Sequence, residues 1–226
     1  QAESSAASDV YKRQEWIIDG EPSIDVWAMD VARFGDYASP QYGTIKSSEN
    51  YERRFIMTFP NETLPKGRKQ KTTALYDRFV NQGAVMGDSF GLENVLWFAN
   101  NKEDAHEEPT IKRSRSHDYV SREVINVREN VGLIEVANFS KHEFKGTDAR
   151  KFLDHVMAGK LPKPGRISLS PMLSYRGKLY GDLTVACFDE NEFMVFGSGA
   201  AQEMHRRWFE SHLDKFDVNY KNRSDE

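Results

Sequence analysis

The chain has 226 residues, of which 38% are hydrophobic and 12% aromatic, enough apolar material for a packed core and too much for a disordered chain. Its 31 basic and 35 acidic residues leave a formal charge of −4. That excludes the basic excess of a nucleic-acid binder, and no apolar run approaches the ~20 residues that cross a bilayer. The single cysteine, Cys187, excludes an internal disulfide and fits a reducing compartment, and no Cys/His cluster has zinc spacing.

Residues 1–14, QAESSAASDVYKRQ, have no starter Met, no apolar stretch and no cleavage pattern. They read as a non-native, adapter-like segment and carry no weight in the fold. After a turn at Pro22-Ser23, Ile24, Trp27, Ala28, Val31 and Phe34 recur at helical spacing. Residues 40–73 are polar and interrupted by Pro60 and Pro65, so they read as irregular; the KGRKQK run within them reads as a solvated loop, with phosphate contact as the alternative. Leu75–Gln82 reads as a short helix closed by Gly83, and SFGLENVLWFAN as a buried strand or extended segment. Residues 101–117 are a charged loop or insertion. SHDYVSREVINVREN reads as a helix with Val120, Val124 and Val127 on its apolar face, ending near Gly132.

VGLIEVANF and KHEFKG then read as strands, closed by Gly146. TDARKFLDHVMAG is a clean amphipathic helix, capped by Thr147 or Asp148, buried along Ala149, Phe152, Leu153 and Val156, and ended by Gly159. RISLSPML, LYGDLTVACF and FMVFGS are joined by short turns, which makes them an antiparallel meander. AAQEMHRRWFESHL is the closing helix, its HRRWF stretch read as a solvated face with an anionic tail as the alternative partner. DVNYKNRSDE is polar and shows no further element, so the chain reads as an internal piece of a longer protein. The expected fold class is α+β, an antiparallel sheet with helices packed on one face. There is no internal repeat and no GxGxxG.

One residue stands out in this pattern. Asp182 sits between strand formers in LYGDLTVAC, where strands disfavour Asp. Alternation puts Leu179, Gly181, Leu183, Val185 and Cys187 on one face, the packing face, and Tyr180, Asp182, Thr184 and Ala186 on the other. The second face is either a solvated surface on which Asp182 does nothing, or a hydroxyl–carboxylate–hydroxyl row facing a ligand. Gly181 favours the latter, because glycine inside a strand often marks the close approach of a ligand or another backbone. The six histidines are scattered, with no HExxH pair; His155 and His205 read as exposed or satisfied helix residues and Cys187 as a buried structural thiol.

The stretch VGLIEVANFSKHEFKGTDARKFLDHVMAGKLPKPGRISLSPMLSYRGKLYGDLTVACFDENEFMVFGSG resembles the N-terminal part of the aminomethyltransferase (glycine-cleavage T-protein) folate-binding domain. The shared pattern is a Gly-Leu strand, a Gly-x-Asp-Ala helix start, Pro-Gly-Arg before a strand ending Met-Leu, a Gly turn, Asp-Leu-x-Val, and an acidic turn into Phe-x-Val. Upstream, EWIIDGEPSIDVWAMDVARFGDYA and ALYDRFVNQGAVMGDSFGLENVLWFAN resemble the central region of dimethylglycine and sarcosine dehydrogenases. In that family a flavin domain and a connecting domain precede the T-protein-like domain.

The resemblance implies a T-protein-like folate-binding domain, incomplete at its C-terminal end, over residues 74–226. Residues 15–73 would be the end of the flavin oxidoreductase region and the connecting domain. Asp182 falls on the family's catalytic carboxylate beside tetrahydrofolate. Ser198 and Gly199 fall on an Asn-Ala turn near the pterin, Leu169 replaces a Tyr that contacts folate, and Phe139 stands where the family has a Met, either lining the pocket or, as a lone aromatic at a strand end, packed in the core. The implied ligands are tetrahydrofolate here and FAD only in the full-length protein. The implied partners are a small N-methylated amine, the flavin domain and a C-terminal folate subdomain, without nucleic acid or membrane. The implied compartment is the bacterial cytoplasm or the mitochondrial matrix. A methyltransferase acting on another methyl donor, such as a sulfonium, and a non-catalytic binding or regulatory relative remain as alternatives.

Overall fold

The computed structural model describes residues 30–60 and 62–224 continuously, with isolated earlier positions from Val10 to Trp27. The chain forms two compact units, one of residues 36–140 with 223–226 and one of residues 1–35 with 141–222.

In the 36–140 unit, helix α1 (Pro40–Glu52) occupies part of the stretch expected to be irregular. Its start follows directly from the sequence: Ser39 accepts a hydrogen bond from Tyr42 N at 3.2 Å and Pro40 supplies a pre-set first turn. Helix α2 (Tyr76–Asn81) leads into strands β1 (Ala84–Ser89) and β2 (Leu92–Phe98), an antiparallel hairpin rather than one strand. Phe90 and Gly91, both at positive φ, make its tight turn. Trp97, Val85 and Ala99 form a small core, against which Tyr119 of α3 (Ser116–Glu129) packs.

The KGRKQK run is a loop with Lys66, Lys69 and Gln70 exposed, as expected, but Arg68 within it is tied to a buried carboxylate. Glu93 is 1% exposed and takes Arg68 on both carboxylate oxygens, while Arg68 also donates to the Met86 carbonyl at 2.9 Å and Lys69 N donates to Glu93 at 3.0 Å. Removing one partner of such a buried pair strands the other charge. Arg68→Leu, which leaves the buried Glu93 carboxylate without its partner, is expected to destabilise the protein by roughly 3 kcal/mol in urea denaturation. A change below about 0.5 kcal/mol would mean the pair is not buried as described.

Residues 131–136, expected as a strand, adopt no regular structure; Val131, Leu133 and Ile134 are 81–100% exposed. A strand exists only where a neighbour completes its ladder, and these residues have none among the described strands. The valines of α3 are likewise exposed, Val127 most of all.

The 141–222 unit is built on a five-stranded sheet: β3 (Ser140–Lys145), β4 (Arg166–Leu173), β5 (Leu179–Asp189), β6 (Glu192–Gly197) and β7 (Asn219–Asn222), in the order β4-β5-β6-β3-β7. The meander β4–β5–β6 is antiparallel as expected. The polar end holds an unforeseen element, since β7 pairs antiparallel with β3. Helices α4 (Ala149–Val156) and α5 (Gln202–Glu210) share one core with a single sheet face: Phe144, Phe152, Leu153, Leu183, Val185, Phe193, Val195 and Phe209 are all fully buried. Ala149, Phe152, Leu153 and Val156 of α4 are buried as the periodicity requires. Asp148 sits at the N-cap, but its carboxylate accepts from Lys151 and from Asp217 N rather than from its own helix.

Of the stretch with helical spacing from Ile24 to Phe34, the described Val31–Phe34 form a 3₁₀ turn with Val31 exposed; Ile24 and Ala28 lie outside the described residues.

Candidate functional site

Strand β5 carries two unlike faces. Leu183, Val185 and Cys187 point into the core, Cys187 buried as a structural thiol, while Asp182 and Thr184 point to the face that α4 and α5 leave uncovered. On this open face the register sets Asp182 opposite Pro171 and aligns Leu169, Thr184 and Phe196 in one row across β4, β5 and β6. Continuing the Thr184↔Phe196 register by two residues brings Ser198, just past the end of β6, level with Asp182. Ser198 is exposed and opens the 3₁₀ turn Gly199–Ala201 that feeds α5.

Asp182, Leu169 and the Ser198-Gly199 turn therefore gather at one end of the open face. Leu169 is 68% exposed and Ile167 equally so, which leaves an apolar strip beside a carboxylate and the Thr184 hydroxyl. A flat heteroaromatic ring with N–H donors at its rim fits that combination. Phe139 belongs to the 36–140 unit and is half-exposed there.

One expectation for this strand fails, and another is met by a different group. The β4–β5 register slips between Met172 and Leu173, a bulge at Tyr180. The extra residue turns the Tyr180 ring away from Asp182 and onto Trp208 of α5, 4.6 Å between centroids. The hydroxyl–carboxylate–hydroxyl row loses its first member. Gly181 is also explained without a ligand: a Cβ there would lie 2.6 Å from His205 Nε2. What comes close to the strand is an imidazole of the protein itself.

His205 is 2% exposed, so it is not a surface histidine. Its Nε2–H donates to the Tyr180 carbonyl over 3.4 Å, and its Nδ1 is buried without a partner. Beside it, 6.3 Å between ring centroids, lies the fully buried His142 of β3, whose Nδ1 shares a 2.8 Å hydrogen bond with the Tyr220 hydroxyl. Burial drives both imidazoles toward the neutral form. His142 falls to about 3, burial being reinforced by the charges of His205 and Arg206. His205 falls to about 4, burial being opposed by the Tyr180 carbonyl and the Asp182 carboxylate. Burial likewise raises the Tyr220 phenol. None of this was readable from a scattered histidine count. The available signal was His205 and Phe209 one helical turn apart, on the apolar side of HRRWF.

The HRRWF face is accordingly not a solvated one: His205, Trp208 and Phe209 are buried, Arg206 pairs with Glu203 at 2.7 Å, and Arg207 reaches Asp30 at 3.5 Å. Trp27 Nε1 donates to the Ala200 carbonyl at 3.3 Å. Two residues of the early segment thus meet the 198–201 turn and α5.

In the 36–140 unit a separate cleft of about 700 Å³ is lined by Arg53, Glu62, Arg68 and Glu107 among others. Several of its charges are already paired, Arg53 with Glu62, Arg68 with Glu93, and Glu107 with the Trp97 indole N–H. It presents no buried polar group awaiting a ligand. Among the described residues no group of His, Cys, Asp and Glu is arranged to hold a metal, and no helix is long and apolar enough to cross a membrane.

An antiparallel sheet with helices packed on one face makes the 141–222 unit an α+β domain. The chain belongs to the family of the GCVT N-terminal domain, whose model matches residues 75–226; the FAD dependent oxidoreductase central domain matches residues 19–73. It is 33% identical over 216 residues to the mitochondrial dimethylglycine dehydrogenase of Homo sapiens, covering 94% of this chain and 25% of that protein. It is 26% identical over 198 residues to the human mitochondrial sarcosine dehydrogenase, covering 76% of this chain and 22% of that protein. The chain thus spans about a quarter of the length of these relatives. The crystal structure of aminomethyltransferase T of the glycine cleavage system from Bartonella henselae superposes with a TM-score of 0.52 over 68% of this chain and 38% of that one. At 17% identity this likeness concerns the fold alone.

Proposed function

We propose that this chain is the tetrahydrofolate-facing, one-carbon-transfer segment of a longer FAD-dependent N-methylglycine dehydrogenase, acting on dimethylglycine or sarcosine. In this reading residues 15–73 close the flavin oxidoreductase region and connecting domain, and residues 74–226 begin the folate-binding domain. The single observation that carries it is Asp182, an exposed carboxylate on a strand whose other face is core, set beside an uncovered apolar strip.

The flavin of the whole protein supplies a two-electron oxidation of the N-methyl group, which leaves an electrophilic one-carbon unit. Capture of that carbon as 5,10-methylenetetrahydrofolate forms two C–N bonds to the folate nitrogens and breaks the one to the substrate amine; of the two N–H protons lost, one leaves with the demethylated amine and the other is released. Asp182 accepts the hydrogen bond of a nucleophilic N–H and takes up its proton. Leu169 and the row ending at Phe196 give a ring an apolar bed, and the Ser198-Gly199 turn offers backbone and hydroxyl groups at its edge. Keeping water away is as important as holding the ring, because the free one-carbon unit hydrolyses to formaldehyde.

Binding tests the reading. Tetrahydrofolate titrated into the intact polypeptide that carries this chain is expected to bind saturably. Leu169→Arg, a change at an exposed position, is expected to weaken it about tenfold by placing a charge on the apolar bed. Absence of saturable binding would overturn the proposal.

A further inference from the structure

We propose that His205 is a positioning residue for Asp182: its ring, seated against Gly181 and hydrogen-bonded to the Tyr180 carbonyl, fixes where β5 presents the carboxylate on the open face. The inference rests on the role given to Asp182 above and deepens it.

Three observations converge. The first is steric. A Cβ at position 181 would lie 2.6 Å from Nε2 and 3.2 Å from Cε1 of His205, so the imidazole occupies the space a side chain would take. Residue 181 is the immediate neighbour of Asp182, and any displacement of its backbone moves the carboxylate. The second is the bulge. A bulge lets the strand bend, and here the bulged residue's carbonyl, that of Tyr180, receives the His205 Nε2–H at 3.4 Å. The third is the rigidity of the ring itself. His205 is buried between the strand and the aromatic group of His142, Phe209 and Tyr220, with His142 held by Tyr220. With Nε2 committed as the donor, the partnerless Nδ1 is an acceptor, the cheaper of the two ring nitrogens to leave unpaired.

A leucine at 205 would fill the same volume, and a ring serving only as filler would need no donor. The geometry instead uses one. Helix α5 also begins directly after the Ser198-Gly199 turn, so the element that pins β5 from beneath also ends the strand that borders Asp182 above.

The test uses the intact polypeptide oxidising dimethylglycine at saturating tetrahydrofolate, with formaldehyde escape, tetrahydrofolate Kd and thermal stability measured together. His205→Leu keeps the volume and loses the donor; one-carbon capture is expected to fall about tenfold with Kd changed less than twofold, since misplacement of a reacting group acts on the transfer step. His205→Gln returns an N–H donor at the reach of Nε2 and is expected to recover most of that loss. Gly181→Ala, which forces the ring off the strand, is expected to reproduce the leucine phenotype. If all three variants capture like wild type, the positioning role is wrong and the folate reading stands. If leucine and glutamine fail alike, with Kd and stability falling together, His205 is filler and the proposal is overturned. If wild type itself captures nothing, the reading of Asp182 falls and takes the positioning role with it.

Discussion

Acidification from pH 7 to pH 5 is expected to remove roughly 3–4 kcal/mol from the stability of the protein, through His142 and His205. Both are buried and both are depressed, to about 3 and about 4, against an ordinary value of 6.5. In the unfolded chain each takes up a proton as the pH falls through about 6.5, whereas in the folded chain neither does until far lower. The stabilisation is therefore fully present above pH 6.5 and is lost as the pH falls toward the folded values. Two such groups forfeit up to about 2.7 kcal/mol per pH unit inside that window, a large share of a domain stability of ~5–15 kcal/mol.

The surroundings set the balance. Asp182 on β5 and the Tyr180 carbonyl favour a charged His205, while Arg206 on α5 opposes charge on His142 and Tyr220 on β7 holds its Nδ1. Urea denaturation followed by tryptophan fluorescence at the two pH values measures the loss. His142→Phe, an apolar ring of similar shape against Phe209 and Tyr220, is expected to remove about half of the pH dependence. Equal stability at pH 7 and pH 5 in the wild type would show that the imidazoles are not held neutral.

The second large effect concerns chemistry. Asp182→Asn is expected to lower the rate of one-carbon capture about a hundredfold or more, the lower end of what a positioned acid–base group contributes. The amide keeps the shape and a hydrogen-bonding oxygen but cannot take a proton. Because Asp182 is exposed on the open face, the substitution leaves the core untouched and stability within about 0.5 kcal/mol of wild type. Unchanged capture by Asp182→Asn would return that carboxylate to a wet strand face without a task.

The parts legible in the sequence were those whose local pattern and tertiary partner agree. Helix α4 shows its buried stripe in the spacing of Ala149, Phe152, Leu153 and Val156, and the β4–β5–β6 meander shows its short turns. Helix α1 was legible at Ser39-Pro40, but its polar body disguised it, because its anchor is a buried charge, Glu49, bonded to Lys46 and Lys66 N, rather than an apolar stripe. Strand β7 was hidden for a related reason. Tyr220 and the ladder to β3 hold it, and a ladder is a property of two segments, not one.

The 131–136 run failed in the opposite sense, with strand-like residues and no partner among the described strands. At the site, alternation placed Asp182 and Leu183 correctly on opposite faces but not Tyr180, because a bulge inserts a residue that no two-residue period can register. Gly181 was correctly read as a point of close approach. That the approaching group is His205 depends on the docking of α5, which the strand sequence does not encode.

Formaldehyde escape from the wild-type polypeptide during oxidation of dimethylglycine or sarcosine, followed as tetrahydrofolate is titrated in, decides whether this chain captures the one-carbon unit. The account predicts that tetrahydrofolate suppresses formaldehyde saturably while the rate of flavin reduction is unaffected, with 5,10-methylenetetrahydrofolate appearing in matching amount. Formaldehyde released at the same yield with and without tetrahydrofolate would contradict it.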